Sequence, residues 1–252
     1  MKRVRVEHFL LAGILLIGLS VRLWGVDFGL PYLYHPDEPR RVAIAQDMFK
    51  TGDLNPRFLR YPTLFIYVNA LAYVPYYQFG KLLGFFDSPA EILPPVVLTT
   101  GLGQAPLPSA ILMGRLISVL FGVATIGLVF LIGKRLHDKP WVGLLAALMV
   151  AVSPTNVADS RYVTPDTSLA FLILVVVWAS LRILQQGKSI DYIVAGCAAG
   201  LAASSKYPGA LAMVVPMAAH FLQPGTKGIK DYKLFLVLVL APVAFLATSP
   251  FA

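Results

Sequence analysis

Seven stretches of the chain consist almost entirely of apolar residues and approach the length that crosses a bilayer. A transmembrane helix needs about 20 mainly apolar residues. The polar stretches that separate the seven are short, except for residues 26–109. The pattern predicts an all-α polytopic membrane protein that forms a single membrane domain over residues 1–252. Its transmembrane helices are expected at 8–25, 110–134, 140–157, 166–184, 190–205, 208–223 and 233–250.

The long loop, residues 26–109, contains two more helical patterns. Residues 39–50 begin with proline, repeat apolar positions at helical spacing and end shortly before a glycine, which predicts a short helix. Residues 62–84 mix tyrosine and asparagine with leucine, valine and phenylalanine, as helices at the membrane interface do. We therefore expect a juxtamembrane helix there and not an eighth span. Residues 87–108 are rich in Pro, Gly, Ser and Thr, which predicts an irregular loop.

Charge gives the expected orientation. The chain is 57% hydrophobic and 13% charged with a net charge of +8, and no aromatic-basic motif predicts a nucleic-acid partner. By the positive-inside rule, the loops rich in Lys and Arg face the cytoplasm. The N-terminus is then cytoplasmic, and residues 26–109, 153–165 and 204–209 are extracytoplasmic, in a multi-pass protein of the cytoplasmic (inner or plasma) membrane. The cytoplasmic group comprises Lys2, Arg3, Arg5, Lys134, Arg135, Lys139, Arg182, Lys188, Lys227, Lys230 and Lys233.

Two adjacent acids, Asp37 and Glu38, follow the first predicted span. An ionised carboxylate within hydrocarbon costs about 2.5–3.5 kcal/mol, so acids at a membrane face suggest a functional site. The simpler interpretation is that Asp37 caps the helix that begins at Pro39, which contributes about 0.5–2 kcal/mol. Capping alone does not require a second acid.

Four arginines, at positions 40, 41, 57 and 60, accompany the acid pair. A guanidinium binds phosphate through two parallel hydrogen bonds, so acids beside arginines fit a general base next to a phosphate leaving group. Contacts with anionic lipid headgroups, or salt bridges to Asp47 and Asp53, are equally consistent with the sequence. Both interpretations stay open at this point. The residues are Arg40, Arg41, Arg57 and Arg60.

A second polar segment, residues 159–166, lies at the same predicted face. Asp166 follows a proline at the start of a span, where the helix dipole favours an acid. Arg161 lies in the same segment, and Lys206 lies in a short turn between two spans. We expect these groups and the acid pair to share one cavity.

Metal and nucleotide chemistry have weaker signals. His35 could bind a divalent cation together with Asp37 or Glu38, but the other histidines, at 8, 137 and 220, lie toward the opposite face. No phosphate-binding glycine loop, serine-nucleophile motif or zinc pattern occurs. A divalent cation is therefore an alternative, and no other cofactor is predicted.

Together these segments resemble the GT-C superfamily of polyprenyl-phosphate-dependent glycosyltransferases. The chain is similar to the N-terminal catalytic module of aminoarabinose transferases and of the protein O-mannosyltransferases of glycosyltransferase family 39. The residues that carry the resemblance are His35-Pro36-Asp37-Glu38, Gly52-Asp53-Leu54, Arg60-Tyr61-Pro62, Arg115-Leu116-Ile117-Ser118-Val119-Leu120-Phe121-Gly122 and Ser160-Arg161-Tyr162 with Asp166.

The resemblance implies an inverting sugar transfer on the extracytoplasmic face, to a lipid, glycan or protein acceptor. It gives the catalytic roles to Asp37, Glu38 and Asp166, with Asp37 orienting or deprotonating the acceptor. It also implies that the donor phosphate contacts Arg40, Arg60 and Lys206. Residues with a possible further part in the site are His35, Arg41, Arg57, Tyr61 and Arg161.

Two departures from the family pattern leave alternatives open. Tyr61 stands where aminoarabinose transferases often have a lysine, and the chain ends with the seventh span where relatives continue. The expectation is a fragment, a half-enzyme or a minimal module, with a further C-terminal region or a partner subunit completing it. The rival hypotheses are a non-catalytic carrier or flippase, in which Asp37, Asp166 and Lys206 form an ion pathway, and an inactive truncated paralogue.

Overall fold

A computed structural model describes residues 2–99, 102–105, 110–137, 139–226 and 228–252. The described residues form ten α-helices, with short 3₁₀ helices at Pro89–Glu91, Tyr207–Met213 and Gly228–Lys230. The α-helices are α1 (Lys2–Leu23), α2 (Glu38–Thr51), α3 (Leu64–Leu82), α4 (Ala110–His137), α5 (Pro140–Val152), α6 (Pro154–Asp159), α7 (Asp166–Gln186), α8 (Ser189–Ser205), α9 (Val214–Leu222) and α10 (Tyr232–Thr248).

The part of the chain that the structure describes contains seven apolar segments that form the bundle, and the all-α polytopic expectation is confirmed. Three of these seven are long and apolar enough to cross a membrane: Val6–Leu23, Ala110–His137 and Asp166–Gln186. Four apolar segments are shorter, at Pro140–Val152, Ser189–Ser205, Tyr207–Leu222 and Tyr232–Thr248. The bilayer crossing of these shorter segments stays a prediction.

Helices α1 and α4 run in opposite directions. At one end of the pair, Lys134 Nζ donates to Glu7 Oε1. At the other end, Arg115 Nη1 donates to the carbonyl oxygens of Val26 and Phe28 at 2.8 and 2.9 Å. Because α1 and α4 are antiparallel, the chain that connects them begins and ends on the same side of the membrane. It therefore crosses the membrane an even number of times or not at all. A single crossing by residues 62–84 would not fit this geometry, which is consistent with the prediction that this segment is not a span.

The segment predicted as one span at 140–157 is divided into two helices, which corrects that prediction. Helix α5 ends at Val152 and α6 begins at Pro154, with Ser153 in an extended conformation between them. Proline lacks an N–H group and disfavours helical geometry in the residue before it. Arg22 of α1 donates to the freed carbonyl oxygens of Val150 and Ala151, at 3.2 and 3.0 Å.

Glycines allow close packing of α8 against α10. A Cβ atom on Gly200 would lie 2.1 Å from the carbonyl oxygen of Ala241, and one on Gly196 would lie 3.0 Å from the Cα atom of Val237. The four-residue spacing places both glycines on one face of α8, as in membrane helices that pack through small residues. At the end of α8, Gly209 permits the tight turn that the sequence predicts at 204–209.

Helices α2 and α3 lie in the long loop and pack on the end of the bundle. Their buried side chains form one apolar core with α4 and with Val163, and this core includes Val42, Ala45, Met48, Phe65, Ile66, Tyr73, Ile111 and Ile117. Both helices match the patterns read at 39–50 and 62–84.

The expectation of an irregular loop at 87–108 is partly wrong. Strands β1 (Val97–Thr99) and β2 (Leu102–Gln104) form an antiparallel hairpin in which Leu98 pairs with Gly103. Gln104 also forms a bridge with Tyr32, so backbone hydrogen bonding attaches the hairpin to the start of the long loop. Residues 100, 101 and 106–109 lie outside the described residues.

Candidate active site

Polar contacts between helices group at the two ends of the bundle. At one end, Lys134 contacts Glu7, Arg135 Nε donates to Gln185 Oε1, and Lys233 Nζ donates to the carbonyl of Gly187. These are basic residues of the loops predicted to be cytoplasmic. The acid pair and the turn with Lys206 lie at the opposite end. The side chains of Lys2, Arg3 and Arg5, together with Lys227, lie outside the described part of the structure.

Asp37 occupies the N-cap position of helix α2, but its carboxylate makes no hydrogen bond to the first N–H groups of the helix, so the capping contact expected from the sequence is not formed. Instead, its Oδ2 accepts a hydrogen bond of 3.0 Å from Nη2 of Arg41, one turn along the helix. The Asp37 side chain is 48% exposed, and within the described residues no partner contacts its Oδ1. One carboxylate oxygen thus has a hydrogen-bond partner and the other has none among the described residues, in a side chain that is about half exposed.

Glu38 has entirely different surroundings from its neighbour. Its Oε1 and Oε2 accept hydrogen bonds from Nε and Nη2 of Arg115 at 2.9 and 2.8 Å, and both side chains are buried. The Val163 N–H also donates to Oε1, at 2.9 Å. Glu38 therefore connects α2, α4 and the loop between α6 and α7.

Arg41 connects Asp37 with that same loop. Its Nη1 donates to the carbonyl oxygen of Val163 at 2.9 Å, and its guanidinium lies over the ring of Tyr61, 4.9 Å from the centroid. The N–H and C=O groups of Val163 are consequently bound by two adjacent turns of α2. Arg40 points elsewhere and lies over the ring of Phe58 at 4.3 Å, without a carboxylate partner among the described residues.

Asp166 and Lys206 form an ion pair of 2.7 Å, and each side chain is partly exposed. The residues directly before them, Pro165 and Ser205, line a small cavity together with Arg41. Asp37 is joined to one lining residue, Arg41, by an ion pair, while Asp166 and Lys206 directly follow two others in the sequence. That the two polar segments share one cavity stays a prediction. The remaining residues that line it are Phe58, Tyr61, Pro62, Phe65 and Ile66.

A fourth acid, Asp159, interacts with the Asp166–Lys206 pair. Desolvation raises the pKa of Asp159 above its usual value, and the Asp166 carboxylate raises it further, while the Lys206 ammonium lowers it. Asp166 and Lys206 thus act in opposite directions on the pKa of Asp159, and the three charged groups interact. This face is therefore electrostatically mixed and not simply basic.

Other predicted residues lie at the edge of the site or away from it. Arg60 is exposed beside Leu59, whose carbonyl accepts a hydrogen bond of 3.1 Å from the Tyr207 hydroxyl. Arg57 pairs with Asp53 at 3.1 Å in an exposed loop, as one of the two interpretations of the arginines expects. Arg161 donates to the Val21 carbonyl at the end of α1.

His35 contacts Tyr162 and the backbone of Asp37. Its ring lies against Tyr162, with 4.9 Å between centroids, and its Nδ1 accepts from the Asp37 N–H at 3.4 Å. Among the described residues, no group of three or more His, Cys, Asp and Glu side chains could hold a metal ion.

Two residues that organise the site were not predicted as site residues. Arg115 donates to the Glu38 carboxylate. Arg22 donates to carbonyl oxygens at the break between α5 and α6 and also to the side chains of Ser160 and Asn156. Both are fully buried arginines within apolar segments. A charged residue in such a segment costs free energy unless it has partners, and this cost was the available signal in the sequence.

Residues 108–251, more than half of the chain, match the sequence profile of the family described as dolichyl-phosphate-mannose-protein mannosyltransferase. The chain belongs to this family. The family resemblance stated from the sequence motifs is therefore confirmed. The matched residues include α4 to α10 and with them Asp166 and Lys206, while Asp37 lies before them.

One curated relative of this chain is the undecaprenyl phosphate-alpha-4-amino-4-deoxy-L-arabinose arabinosyl transferase 2 of Pseudomonas fluorescens (strain Pf0-1). The two are 25% identical over 208 residues, which are 81% of this chain and 33% of the relative. The chain thus spans about a third of the length of the curated relative that it matches.

Two solved structures have the same fold as this chain. The S. cerevisiae protein O-mannosyltransferase Pmt1-Pmt2 complex bound to the sugar donor aligns with a TM-score of 0.66 and 19% identity, over 96% of this chain and 32% of that one. ArnT from Cupriavidus metallidurans in the apo state aligns with a TM-score of 0.57 and 19% identity, over 100% of this chain and 41% of that one.

Proposed function

We propose that the chain carries the catalytic centre of a glycosyltransferase that uses a polyprenyl-phosphate sugar donor. The observation that carries the proposal is the half-exposed Asp37 carboxylate, hydrogen-bonded through one oxygen only, at the end of the bundle where Arg40 and Lys206 lie. Membership in a family named for dolichyl-phosphate-mannose transfer supports the donor class. The relative from Pseudomonas fluorescens is named for an undecaprenyl-phosphate sugar, which belongs to the same chemical class.

In the proposed reaction, Asp37 Oδ1 accepts the proton of an acceptor hydroxyl. The acceptor oxygen forms a bond to the anomeric carbon while the bond from that carbon to the phosphate oxygen breaks, so the configuration is inverted. The bonding electrons leave with the polyprenyl phosphate. Arg40, Lys206 and Arg60 would offset the negative charge that develops on the leaving phosphate. Asp166 would hold Lys206 in place until the donor binds.

Glu38 takes a positioning role in this proposal. Both of its oxygens already accept hydrogen bonds from Arg115 and Val163, and its side chain is buried. An acid with these partners cannot easily accept a further proton from substrate. We infer that Glu38 holds the start of α2, and with it Asp37, against α4.

The test compares Asp37→Asn with the unchanged protein in membranes. The donors are undecaprenyl-phosphate 4-amino-4-deoxy-L-arabinose and dolichyl-phosphate mannose, and the measurement is the release of polyprenyl phosphate. A general base contributes about 10²–10⁴-fold, so a loss of that size is expected. Asp53→Asn is the matched control, because this acid lies in the same long loop but pairs with the exposed Arg57.

Three outcomes would count against the proposal. Turnover of Asp37→Asn at the unchanged rate would exclude the general-base role. Movement of a donor across vesicle membranes without cleavage would favour the carrier. A folded protein that turns over neither donor would favour the inactive paralogue.

The proposed orientation has a separate test. We propose a multi-pass protein of the cytoplasmic membrane with a cytoplasmic N-terminus and an extracytoplasmic site. Cys197 is the single cysteine, so a Cys197→Ser background allows labelling at one introduced position. A membrane-impermeant maleimide applied from outside should label Asn55→Cys in the exposed loop. Labelling only from the cytoplasmic side would reverse the orientation.

A further inference from the structure

Arg40 and Arg41 are neighbours in the sequence, but the structure gives them different tasks. Arg40 is exposed and lies over Phe58. The side chain of Arg41 is 7% exposed and donates to two separate acceptors, Asp37 and Val163. Arg41 therefore offers little accessible surface to a donor phosphate, whereas Arg40 is accessible.

The two acceptors of Arg41 belong to different parts of the chain. Asp37 lies at the start of α2, and Val163 lies in the loop between α6 and α7. Since the Val163 N–H donates to Glu38 and its C=O accepts from Arg41, the two peptide groups that flank Val163 are both bound to α2 and provide a reference point. Arg41 fixes the position of the Asp37 carboxylate relative to this point.

We propose that Arg41 is a positioning residue that orients the carboxylate of Asp37 for proton transfer. By binding Oδ2, it leaves Oδ1 as the oxygen that meets the acceptor. The role rests on the proposed glycosyltransferase function, because it has catalytic meaning only if Asp37 is the base. In this role Arg41 acts on the general base, Asp37, whereas Arg40 and Arg60 would contact the donor phosphate.

The chemistry requires arginine in particular. A guanidinium is a flat fork that can donate in two directions at once, whereas an ammonium is a point charge on a flexible stem. Tyr61 lies against the guanidinium and restricts its plane. Lysine at this position would keep the charge but would not hold both acceptors in this geometry.

The experiment measures donor turnover by Arg41→Met, Arg41→Lys and Arg40→Met in the full chain, with the two donors named above. A misplacement of about 1 Å in a reacting group can reduce a rate by about 10²-fold. We therefore expect Arg41→Met to lower kcat by about that factor with KM for the donor unchanged, and Arg41→Lys to restore part of it. Arg40→Met should instead raise KM for the donor.

The double variant Asp37→Asn/Arg41→Met supplies a readout that a merely structural role would not give. If Arg41 acts through Asp37, adding Arg41→Met to Asp37→Asn should lower the residual rate by less than about twofold. The reason is that the effects of substituting two residues that act as a unit do not add. Full additivity, or a rise in KM for the donor in Arg41→Met, would overturn the proposal. Should Arg41→Met fail to fold, as judged by its thermal transition in detergent, Arg41→Lys and its combination with Asp37→Asn decide by the same criteria.

The outcomes also separate this inference from the proposed function. If Asp37→Asn is inactive and Arg41→Met turns over donor normally, only the role of Arg41 is wrong. If Asp37→Asn is fully active, the base assignment is wrong and the role of Arg41 is lost with it.

Discussion

The carboxylate of Glu38 and the guanidinium of Arg115 form a two-point ion pair in which neither side chain is more than 1% exposed. The remaining donor group of Arg115 binds the carbonyl oxygens of Val26 and Phe28, so the pair is enclosed by further hydrogen bonds. It joins the first turn of α2 to α4 and to the chain that leaves α1. The geometry of the acid pair at positions 37 and 38 therefore depends on a residue 77 positions away.

Removing one member of this pair should destabilise the protein strongly. We expect Glu38→Gln or Arg115→Met to lower the free energy of unfolding by about 3–5 kcal/mol, because each leaves an uncompensated buried group. The measurement is denaturation in detergent, followed by the helical signal. Arg57→Gln is the control, since the Arg57–Asp53 pair is exposed and solvent screens its attraction, so that its loss should change stability little. Equal effects of the buried and exposed variants would contradict the structural role of Glu38.

Lys206 should affect donor binding more than turnover at saturation. A hydrogen bond to a charged group contributes about 1.5–3 kcal/mol, so Lys206→Met is expected to raise KM for the donor by at least about tenfold. Lys206→Arg should retain much of the affinity, because the positive charge remains. Lys81→Met, at an exposed lysine near the end of α3, serves as the control. An unchanged KM in Lys206→Met would remove this lysine from the proposed phosphate site.

The acid Asp159 should make stability depend on pH in a direction opposite to most surface acids. The pKa of Asp159 is higher in the folded state than in the unfolded state, where it has the usual value of 3.8. As pH rises above that value, the unfolded state loses the proton more readily, so the free energy of unfolding falls. Asp159→Asn should thus be more stable than the unchanged protein at neutral pH, and the gain should vanish below the usual pKa. Urea denaturation at a series of pH values measures the effect.

Asp53 offers the contrasting case for the same measurement. Hydrogen bonds from the Asn55 N–H and Arg57 lower the pKa of Asp53, so its contribution is stabilising above the usual value and is lost as pH falls. Asp53→Asn should be less stable than the unchanged protein at neutral pH. The same sign for Asp53→Asn and Asp159→Asn would contradict the electrostatic description.

Gly200 should tolerate no side chain at the contact between α8 and α10. A Cβ atom there would lie 2.1 Å from the Ala241 carbonyl oxygen, so Gly200→Ala must push the two helices apart. We expect a loss of at least about 1 kcal/mol in unfolding free energy, in the range for overpacked cores. Gly13→Ala in α1 is the matched control, because no neighbouring atom lies within 4 Å of the position that its methyl group would take, and alanine favours helix. A stability change in Gly200→Ala as small as that of Gly13→Ala would show that the helices can separate freely.

The sequence by itself determined most of the helices and the membrane class, and it named the residues of the candidate site. Hydrophobic runs of the length of a bilayer and the acid pair after the first of them are local features, and local features can be read along a chain. The break at Ser153 was missed because the predicted span was extended across the polar residues 153–156 to Val157, although the proline was visible.

Only the tertiary structure decided which charged groups are paired and which are open. Asp37 and Glu38 are adjacent in the chain, yet one is half exposed beside Arg41 and the other is buried against Arg115. Likewise, Arg40 and Arg41 differ in role because consecutive residues on a helix point in directions about 100° apart. The partners that set these differences, Val163 and Arg115, come from distant segments, and a contact between distant segments depends on how whole helices pack.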